Sequence, residues 1–342
     1  MQDDILGLAY DISNATRSKV ELIEAITRRA HILSLNARIE AAHAGHNGTG
    51  FGVLAEELGT VSSEIRSVAT ALRQAIDGHL HEIEQAGSAM LTSFRGARLA
   101  DLAASTVELV ERSLSTRASD VRWWATDSRI VDTAREATEG ARRQAQRRLA
   151  TILRTYGVYL DVWVLDTRGR VIATGRPERY PRTQAANMVN AMWFRKALNT
   201  ANGDQFSVAE IMRLPALDNA AVGTYATAIR EGGERDGKPL GVLACFFDWA
   251  PQARAILDSV KLSEDERAVS RMLLLDTHQR VLAASDGRGV LSENFALPLK
   301  GRNQGFELRG DRLIAFARAQ SVEGGFAAIE YRLPPRSATR GG

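Results

Sequence analysis

The sequence is poor in cysteine, with Cys245 as the one thiol in 342 residues. A lone cysteine cannot close an intramolecular disulfide, and it leaves a zinc site without its usual sulfur ligands. The cysteine count therefore argues against a disulfide-stabilised secreted protein and against thiol chemistry.

Signals for export or membrane insertion are also missing. The chain starts with MQDDIL, which places two acids where a secretory signal has basic residues followed by an apolar run. The longest stretch without Asp, Glu, Lys or Arg, residues 41–55, is rich in glycine and histidine, whereas a membrane helix needs about 20 mostly apolar residues. We predict no membrane insertion and a cytoplasmic location.

An excess of charge of one sign is absent as well, because 44 Lys and Arg face 41 Asp and Glu, for a formal net charge of +3. This excess is too small to indicate nucleic acid as a partner, and we predict none. The content of 44% hydrophobic and 25% charged residues is typical of globular protein. At about 100–200 residues per domain, the length predicts two domains.

Motifs for catalysis are missing too. The glycines of residues 45–52 are not followed by Lys and Ser or Thr, and they lie between helical patterns, so they do not indicate a phosphate-binding loop. His43 with His46, and His79 with His81, lack further ligands at metal spacing. We predict a non-enzymatic protein with no cofactor and no metal. An enzyme would need a perturbed titratable cluster, which the sequence does not reveal.

The sequence does contain two long helical patterns, one on each side of the glycines 45–52, which permit a chain reversal. They predict an antiparallel helical hairpin over residues 1–95, with a boundary at 94–96. Because two apolar seams need a partner surface, we expect a homodimer that forms a coiled-coil four-helix bundle. The seams consist of Ile5, Leu8, Ile12, Ala15, Ser18, Leu22, Ile26, Ala30, Leu33 and Asn36, then Phe51, Leu54, Leu58, Val61, Ile65, Val68, Leu72 and Ala75.

The remaining chain predicts a second domain over residues 97–334. It starts with one long helix over 97–156, which is followed by two antiparallel-sheet modules over 157–262 and 268–333. The fold class is therefore α+β. A flexible tail is expected over 335–342.

Ten strand patterns and one short helix support these modules. The openings WVLDTRGRVI, from Trp163, and LLLDTHQRVL, from Leu273, match each other and suggest duplication. A helix is predicted over residues 187–198. The strands are predicted over 158–165, 170–174, 206–212, 224–230, 240–247, 272–276, 280–284, 306–309, 313–319 and 326–331.

The segment from Ile32 to Glu57, ILSLNARIEAAHAGHNGTGFGVLAEE, closely resembles the hairpin tip of methyl-accepting chemotaxis receptor signalling domains. The resemblance implies a dimeric four-helix signalling hairpin whose tip binds a chemotaxis histidine kinase and its coupling protein. The positions that match this contact surface are Ile32, Leu35, Asn36, Ile39, Glu40 and Val53.

Some positions depart from that family. Where its dimers pack into trimers through an aromatic residue and an arginine, this sequence has Arg28 and His43. An arginine in place of a buried aromatic side chain brings charge into a desolvated contact, which argues against the trimer. The family's methylated Glu and Gln pairs are matched only in part, by Glu84 and Gln85, so methylation is not expected.

From about Arg112 onward the chain resembles the double Cache sensors, whose two PAS-like modules follow a long helix. The resemblance rests on VRWWATD from Val121, WFRKA from Trp193, YATAI from Tyr225 and GVLACFFD from Gly241. It implies a small-molecule ligand and a ligand-binding role for the residues Trp193, Phe194, Tyr225 and Asp248.

Each of these residues also has a structural interpretation. In amine-binding members of the family, an arginine two residues before the tryptophan grips a carboxylate, and this position is Ala191 here. An α-amino acid ligand is therefore not assured. Trp193 and Tyr225 could equally be core residues, and Asp248 could be a turn residue that precedes a helix.

Together the two resemblances imply a cytosolic chemoreceptor-like signal transducer. In this hypothesis a small molecule bound to the Cache domain modulates a chemotaxis histidine kinase through the hairpin tip. The alternative is a non-enzymatic scaffold or array-associated sensor that joins receptor arrays and does not itself control the kinase.

Overall fold

The structure is a computed structural model that describes residues 2–321 and 324–334. The chain divides into two compact units, Met1–Arg95 and Gly96–Gly342. The flexible tail predicted over 335–342 lies outside the described residues.

The described residues form seven α-helices and ten β-strands. All ten predicted strands are confirmed, with ends that differ by at most four residues. The helices are α1 (Gln2–His43), α2 (Thr49–Trp124), α3 (Ser128–Glu136), α4 (Glu139–Thr155), α5 (Met192–Leu198), α6 (Trp249–Asp258) and α7 (Glu264–Ala268). The strands are β1 (Tyr159–Asp166), β2 (Val171–Thr174), β3 (Ser207–Leu214), β4 (Ala220–Arg230), β5 (Pro239–Asp248), β6 (Ser270–Leu275), β7 (Val281–Ala284), β8 (Gln304–Arg309), β9 (Arg312–Arg318) and β10 (Phe326–Arg332).

The first unit is the predicted antiparallel hairpin, in which α1 and the first half of α2 are its two arms. Contacts between the arms include the ion pair of Arg17 Nη2 with Asp77 Oδ1 at 2.6 Å and the hydrogen bond that the Tyr10 hydroxyl donates to Glu84. Small residues seven positions apart are buried along each arm, at most 5% exposed, as expected for a helix pair with a heptad repeat. They are Ser13, Val20, Thr27 and Ser34 in α1, and Ala55, Ser62 and Ala69 in α2.

The large apolar residues of the predicted seams lie on the outer surface of the hairpin. Leu22, Ile26 and Leu33 are 56%, 57% and 62% exposed, and Leu54 and Val68 are 66% and 68% exposed. The arms therefore pack through small side chains and leave two stripes of large apolar side chains uncovered in the single chain.

The reversal between the arms is a 3-10 turn at Gly45–Gly48. Gly45 has φ +57°, which favours glycine. Gly48 has ordinary φ, but a Cβ there would lie 2.2 Å from the carbonyl oxygen of Ala41. A glycine is thus required at both positions, for two different physical reasons.

The second unit corrects the prediction of one long helix over 97–156. The chain forms three helices there, because Asp127 and Thr138 act as N-caps: their side chains accept hydrogen bonds from the backbone N–H groups of Arg129 and Ala141 at 3.0 and 3.2 Å. Ala137, with φ 50°, ends α3 in the left-handed region.

The predicted boundary of 94–96 lies where the two units divide, at Arg95 and Gly96, and α2 continues across it without a break to Trp124. Gly96 lies inside α2 and allows a close approach: a Cβ there would lie 2.4 Å from the ring of Phe306. Glycine is used here for packing and not as a helix stop.

Two five-stranded antiparallel sheets form the rest of the second unit. Sheet 1 has the order β2-β1-β5-β4-β3 and sheet 2 has β7-β6-β10-β9-β8, which is the same order module for module. The two opening turns are also alike. Asp166 accepts hydrogen bonds from the Arg168 and Arg170 backbone, as Asp276 does from His278 and Arg280. The architecture supports the inferred duplication.

A buried polar contact fixes the end of α2 to sheet 1. The Tyr159 hydroxyl on β1 donates a 2.6 Å hydrogen bond to Asp120 Oδ2 on α2, and Arg117 lies 3.5 Å from the same carboxylate oxygen. Tyr159 and Asp120 are 1% and 7% exposed. Burial and the neighbouring Asp120 raise the pKa of the Tyr159 phenol, so the hydroxyl stays a donor.

We expect Gly48→Ala to destabilise the turn of the hairpin, because the new methyl group would overlap the Ala41 carbonyl. Overpacking of this kind costs about 1–3 kcal/mol. Hydrogen exchange of residues 35–60 in the full chain should be accelerated at least about tenfold. Gly50→Ala is the matched control, since a Cβ at Gly50 meets nothing within 4 Å. Equal exchange in both variants would contradict this account of the turn.

We expect Tyr159→Phe to destabilise the second unit by about 1–3 kcal/mol, because the buried Asp120 carboxylate loses a donor. Tryptophan fluorescence during urea unfolding measures this, since all five tryptophans lie after residue 96. Tyr156→Phe, on the same segment, is the control and should change stability by less than about 0.5 kcal/mol.

The same contact predicts a pH dependence at the alkaline side. A raised folded-state pKa means that the folded protein holds the phenol proton more tightly than the unfolded chain. The contribution of Tyr159 is therefore complete below pH of about 10 and is lost as the pH rises further. The loss should be smaller in Tyr159→Phe, and an identical alkaline decline in both proteins would contradict the assignment.

Candidate functional site

The hairpin tip presents one apolar face next to the turn. The residues Ile32, Leu35, Asn36, Ile39 and Glu40 are spaced by three and four positions, which places them on one side of α1. Ile32, Leu35 and Ile39 are 58%, 51% and 49% exposed. Asn36 and Glu40 are exposed as well.

On the other arm, Val53 is 64% exposed and lies near the start of α2. Its neighbours Phe51 and Leu54 are 72% and 66% exposed. The two positions that depart from the family, Arg28 and His43, also have exposed side chains. We call the surface formed by Ile32, Leu35, Asn36, Ile39, Glu40 and Val53 the tip face.

In the second unit, two of the predicted ligand-binding residues lie together on one face of sheet 1. Trp193 and Phe194, both on α5, are 7% and 1% exposed. The Trp193 ring contacts Phe246 of β5 edge to face, with centroids 5.9 Å apart, and Phe246 contacts Trp163 of β1 at 4.2 Å. This face is lined by closely packed aromatic rings.

The buried carboxylate of Asp161 holds Trp163 in that cluster. Its oxygens accept hydrogen bonds from the Trp163 indole at 2.9 Å, the Val162 backbone at 2.8 Å and the Gly175 backbone at 3.0 Å, with a further bond from the Thr174 hydroxyl. Burial raises the pKa of Asp161, and these four donors oppose that effect. Sequence reasoning missed this group, because its partners come from two strands and a turn.

Asp248 ends β5 and directly precedes α6, as a turn residue would. It is half-buried, and burial raises its pKa, while Arg179 partly opposes the shift. Strand alternation places Asp248 on the same side of sheet 1 as Phe246. Ala191 is the N-cap of α5 and offers no side-chain bond. The ligand-binding role of Trp193, Phe194 and Asp248 stays a prediction.

Tyr225 does not join this group, although the resemblance gave Trp193 and Tyr225 a common ligand-binding role. Its ring lies 6.1 Å from Phe247, and Phe247 is next to Phe246 on β5. Because successive residues of a strand point to opposite faces, Tyr225 and Phe247 lie on the other face of sheet 1.

A cavity of about 630 Å³ lies on the Tyr225 side of sheet 1. Its wall is formed by residues of α2, by strands β3, β4 and β5, by the start of α6 and by sheet 2. The sequence patterns did not predict it, because strand periodicity gives the alternation of faces and not which face a helix covers. The lining residues include Val107, Val110, Leu114, Phe206, Val208, Tyr225, Phe247, Trp249, Leu274 and Leu282.

The described residues contain neither a candidate metal site nor a candidate membrane span. Among them, no group of three or more His, Cys, Asp or Glu side chains could hold a metal ion. No helix within the described ranges combines the length and apolar character that crossing a bilayer requires. The cytoplasmic location stays a prediction.

Residues 5–150 match the family described as "Methyl-accepting chemotaxis protein (MCP) signalling domain". The match covers the hairpin unit from residue 5 onward and continues past Arg95 through α3 into α4. The family match thus extends further along the chain than the hairpin predicted over 1–95.

Curated relatives match over part of this chain. A methyl-accepting chemotaxis aspartate transducer of Klebsiella aerogenes is 28% identical over 114 residues, which are 32% of this chain and 21% of the relative. The methyl-accepting chemotaxis protein HlyB of Vibrio cholerae is 36% identical over 26% of this chain and 19% of its own length. The biofilm dispersion protein BdlA of Pseudomonas aeruginosa is 33% identical over 31% of this chain and 28% of its own. The chain therefore spans about a fifth to a quarter of these relatives.

Solved structures match over a larger share. The sensor domain of the V. cholerae histidine kinase DctB has a TM-score of 0.52 at 14% identity, over 69% of this chain and 95% of that domain. The sensory domain of the Campylobacter jejuni chemoreceptor Tlp3 (CcmL) has a TM-score of 0.51 at 17% identity, over 69% and 92%. The hairpin unit is too short to supply so long an alignment, so the likeness concerns the fold of the two-sheet unit.

The family match, the receptor relatives and the sensor-domain fold agree with each other. Residues 5–150 are therefore similar to the signalling domain of methyl-accepting chemotaxis proteins, and the two-sheet unit has the fold of bacterial sensor domains.

Proposed function

We propose that this protein is a chemoreceptor-like signal transducer that binds a small molecule in its two-sheet unit and modulates a chemotaxis histidine kinase, with its coupling protein, through the hairpin tip. The observation that carries the proposal is the tip face. It is an exposed apolar and amide surface inside a segment that matches the receptor signalling family.

The tip face has the chemistry of a protein contact. Ile32, Leu35 and Ile39 together expose a contiguous apolar strip, and exposed apolar patches are typical of protein interaction sites. Asn36 and Glu40 lie beside it and supply the polar groups that fix orientation at the rim of an interface. A surface of this kind suits a partner that is itself apolar at the centre of its contact.

The helix α2 offers a path for a signal, because its residues belong to both compact units. Its residues 107–118 line the cavity of the second unit, and its first turns contain Val53 of the tip face. A ligand can modulate the tip only if it binds two arrangements of this helix with different affinity.

The exposed seams support a homodimer. A second copy of the hairpin would cover Leu22, Ile26 and Leu33 of α1 and the matching stripe of α2, which the single chain leaves at 39–72% exposure from Phe51 to Leu72. Burial of apolar area contributes about 25 cal/mol per Å². Two hairpins would then form the expected four-helix bundle.

We expect Ile32→Arg and Asn36→Ala to abolish or weaken retention of the kinase and coupling protein by the purified full chain, by at least about tenfold in apparent affinity. Arg38→Ala is the matched control, since Arg38 is exposed on the same helix but lies off the tip face. Pull-down and kinase activity are measured in parallel with the three variants.

Two results would count against the proposal. Absence of kinase and coupling-protein binding by the wild type would contradict the receptor-type contact. Binding without any effect of the protein on kinase activity would favour the alternative, in which it joins receptor arrays as a scaffold or sensor.

We expect Ile26→Glu combined with Leu54→Glu to shift the protein to a monomer, because each change places a carboxylate in a desolvated seam. Sedimentation equilibrium measures the mass. Arg38→Glu is the control, because it changes the net charge by the same amount outside the seams. A dimer that persists in the double variant would contradict the four-helix bundle.

A further inference from the structure

The cavity on the Tyr225 side of sheet 1 lies opposite the face that holds three of the four residues to which the family resemblance gave a ligand-binding role, and Tyr225 alone of the four lines it. That face carries Trp193 and Phe194, and sheet 1 separates it from the cavity. The cavity volume of about 630 Å³ lies within the range of small-molecule sites.

Four aromatic rings form a continuous row along the cavity wall. Phe206 is stacked on Tyr225 with centroids 5.9 Å apart and an interplanar angle of 23°. Tyr225 is followed by Phe247 at 6.1 Å, and Phe247 by Trp249 at 6.3 Å. Such a row offers faces and edges to a planar or alicyclic apolar molecule.

The rings are held in place by groups outside the row. The Trp249 indole N–H donates to the Leu282 carbonyl oxygen of sheet 2 at 2.7 Å. Gly223 on β4 leaves room for Phe247, since a Cβ there would lie 2.0 Å from the ring. The wall is thus preformed, which limits the entropy lost when a ligand binds.

The charges of the cavity select against an anion. Its described lining contains Glu111, Glu210 and Asp276 but no Lys or Arg. A carboxylate or phosphate in the cavity would meet these acids and no Lys or Arg of the described lining to pair with, which disfavours an anion.

The same acids do not call for a cationic ligand, because each has a partner in the protein. Glu111 accepts from the Ser321 backbone at 2.7 Å. Glu210 and Asp276 both pair with Arg280, at 3.3 and 2.9 Å. The remaining lining is mainly apolar, so the wall matches a neutral molecule.

We infer that this cavity binds a neutral, mainly apolar aromatic or alicyclic small molecule, in contact with α2 and with both sheets. The occupant touches Val107, Val110 and Leu114 of α2 from one side and the aromatic row from the other. Its role as the signal rests on the function proposed above, whereas its binding does not.

The test uses a pair of dyes that share one aromatic framework. N-phenyl-1-naphthylamine is neutral, and 8-anilino-1-naphthalenesulfonate adds a sulfonate to the same skeleton. We expect the full chain to bind the neutral dye saturably, with a rise in dye fluorescence, and to bind the anionic dye at least about tenfold more weakly. Equal affinity for the two dyes at this site would overturn the inferred ligand class.

Variants that fill the cavity locate the dye. Val208→Trp on β3 and Leu114→Trp on α2 should each weaken binding of the neutral dye at least about tenfold. The matched controls are Met212→Trp and Leu109→Trp, on the same strand and the same helix, which are 47% and 42% exposed and lie outside the cavity lining. Unchanged affinity in both filling variants would overturn the inference.

Two further measurements locate the dye without a cavity-filling variant. Energy transfer from Trp249 to the dye needs no filling variant, and it should fall in Trp249→Phe but not in Trp123→Phe, whose side chain is 66% exposed. If Leu54→Glu abolished binding of the neutral dye, the dye would be bound at the hairpin seam and not in the cavity, which would overturn the inference. No kinase is needed for these measurements, so failure of dye binding and failure of the tip pull-down are separate results.

Discussion

The structure depends on one helix that must bury two different faces. Between Thr49 and Arg95, α2 turns small side chains such as Ala55 and Ser62 toward α1 and leaves its large apolar side chains outside. After Gly96 the same helix buries Leu99, Val107 and Val121 in the core of the two-sheet unit. Replacing the small face by large residues would force the arms apart, whereas small residues after Gly96 would leave the sheets without a core partner. The sequence of α2 therefore satisfies a close helix pair first and a helix-on-sheet contact second.

Much of this was predictable from the sequence, and the rest was not, for reasons that individual residues explain. Runs of β-branched and aromatic residues between turn residues indicate strands, so all ten strands were predicted. The glycines around Gly45 indicated where the chain reverses. The caps at Asp127 and Thr138 were missed because helical spacing continues across them. The position of Tyr225 was missed because alternation separates two faces without telling which one a helix will cover. The tip face could be named from a resemblance alone, since periodicity gives exposure and not partners.

The two sheets have the same strand order but differ in the contacts that their modules make. Both modules open with an aspartate that organises the β-turn, Asp166 in the first and Asp276 in the second. In the first module the far face is covered by α5 and filled with rings, including Trp193 and Phe246. In the second, Asp276 and Arg280 form an ion pair that also reaches Glu210 of the first module. The repeated turn has thus become a link between modules, and it neutralises the rim of the cavity beside it.

The location of a ligand decides how directly it can act on α2. A molecule on the Trp193 face of sheet 1 would have to act through the sheet, because α5 and the aromatic cluster lie between that face and the solvent while the sheet itself separates it from α2. A molecule in the cavity would touch Val107 and Leu114 on the helix itself. Packed interiors switch between discrete arrangements and do not deform continuously. A ligand that contacts the helix in one arrangement and not in the other therefore binds the two arrangements with different affinity. The hydrogen bond between Tyr159 and Asp120 fixes the last turns of α2 to β1. Any change of packing that a ligand in the cavity caused would therefore fall on the segment of α2 beside the cavity.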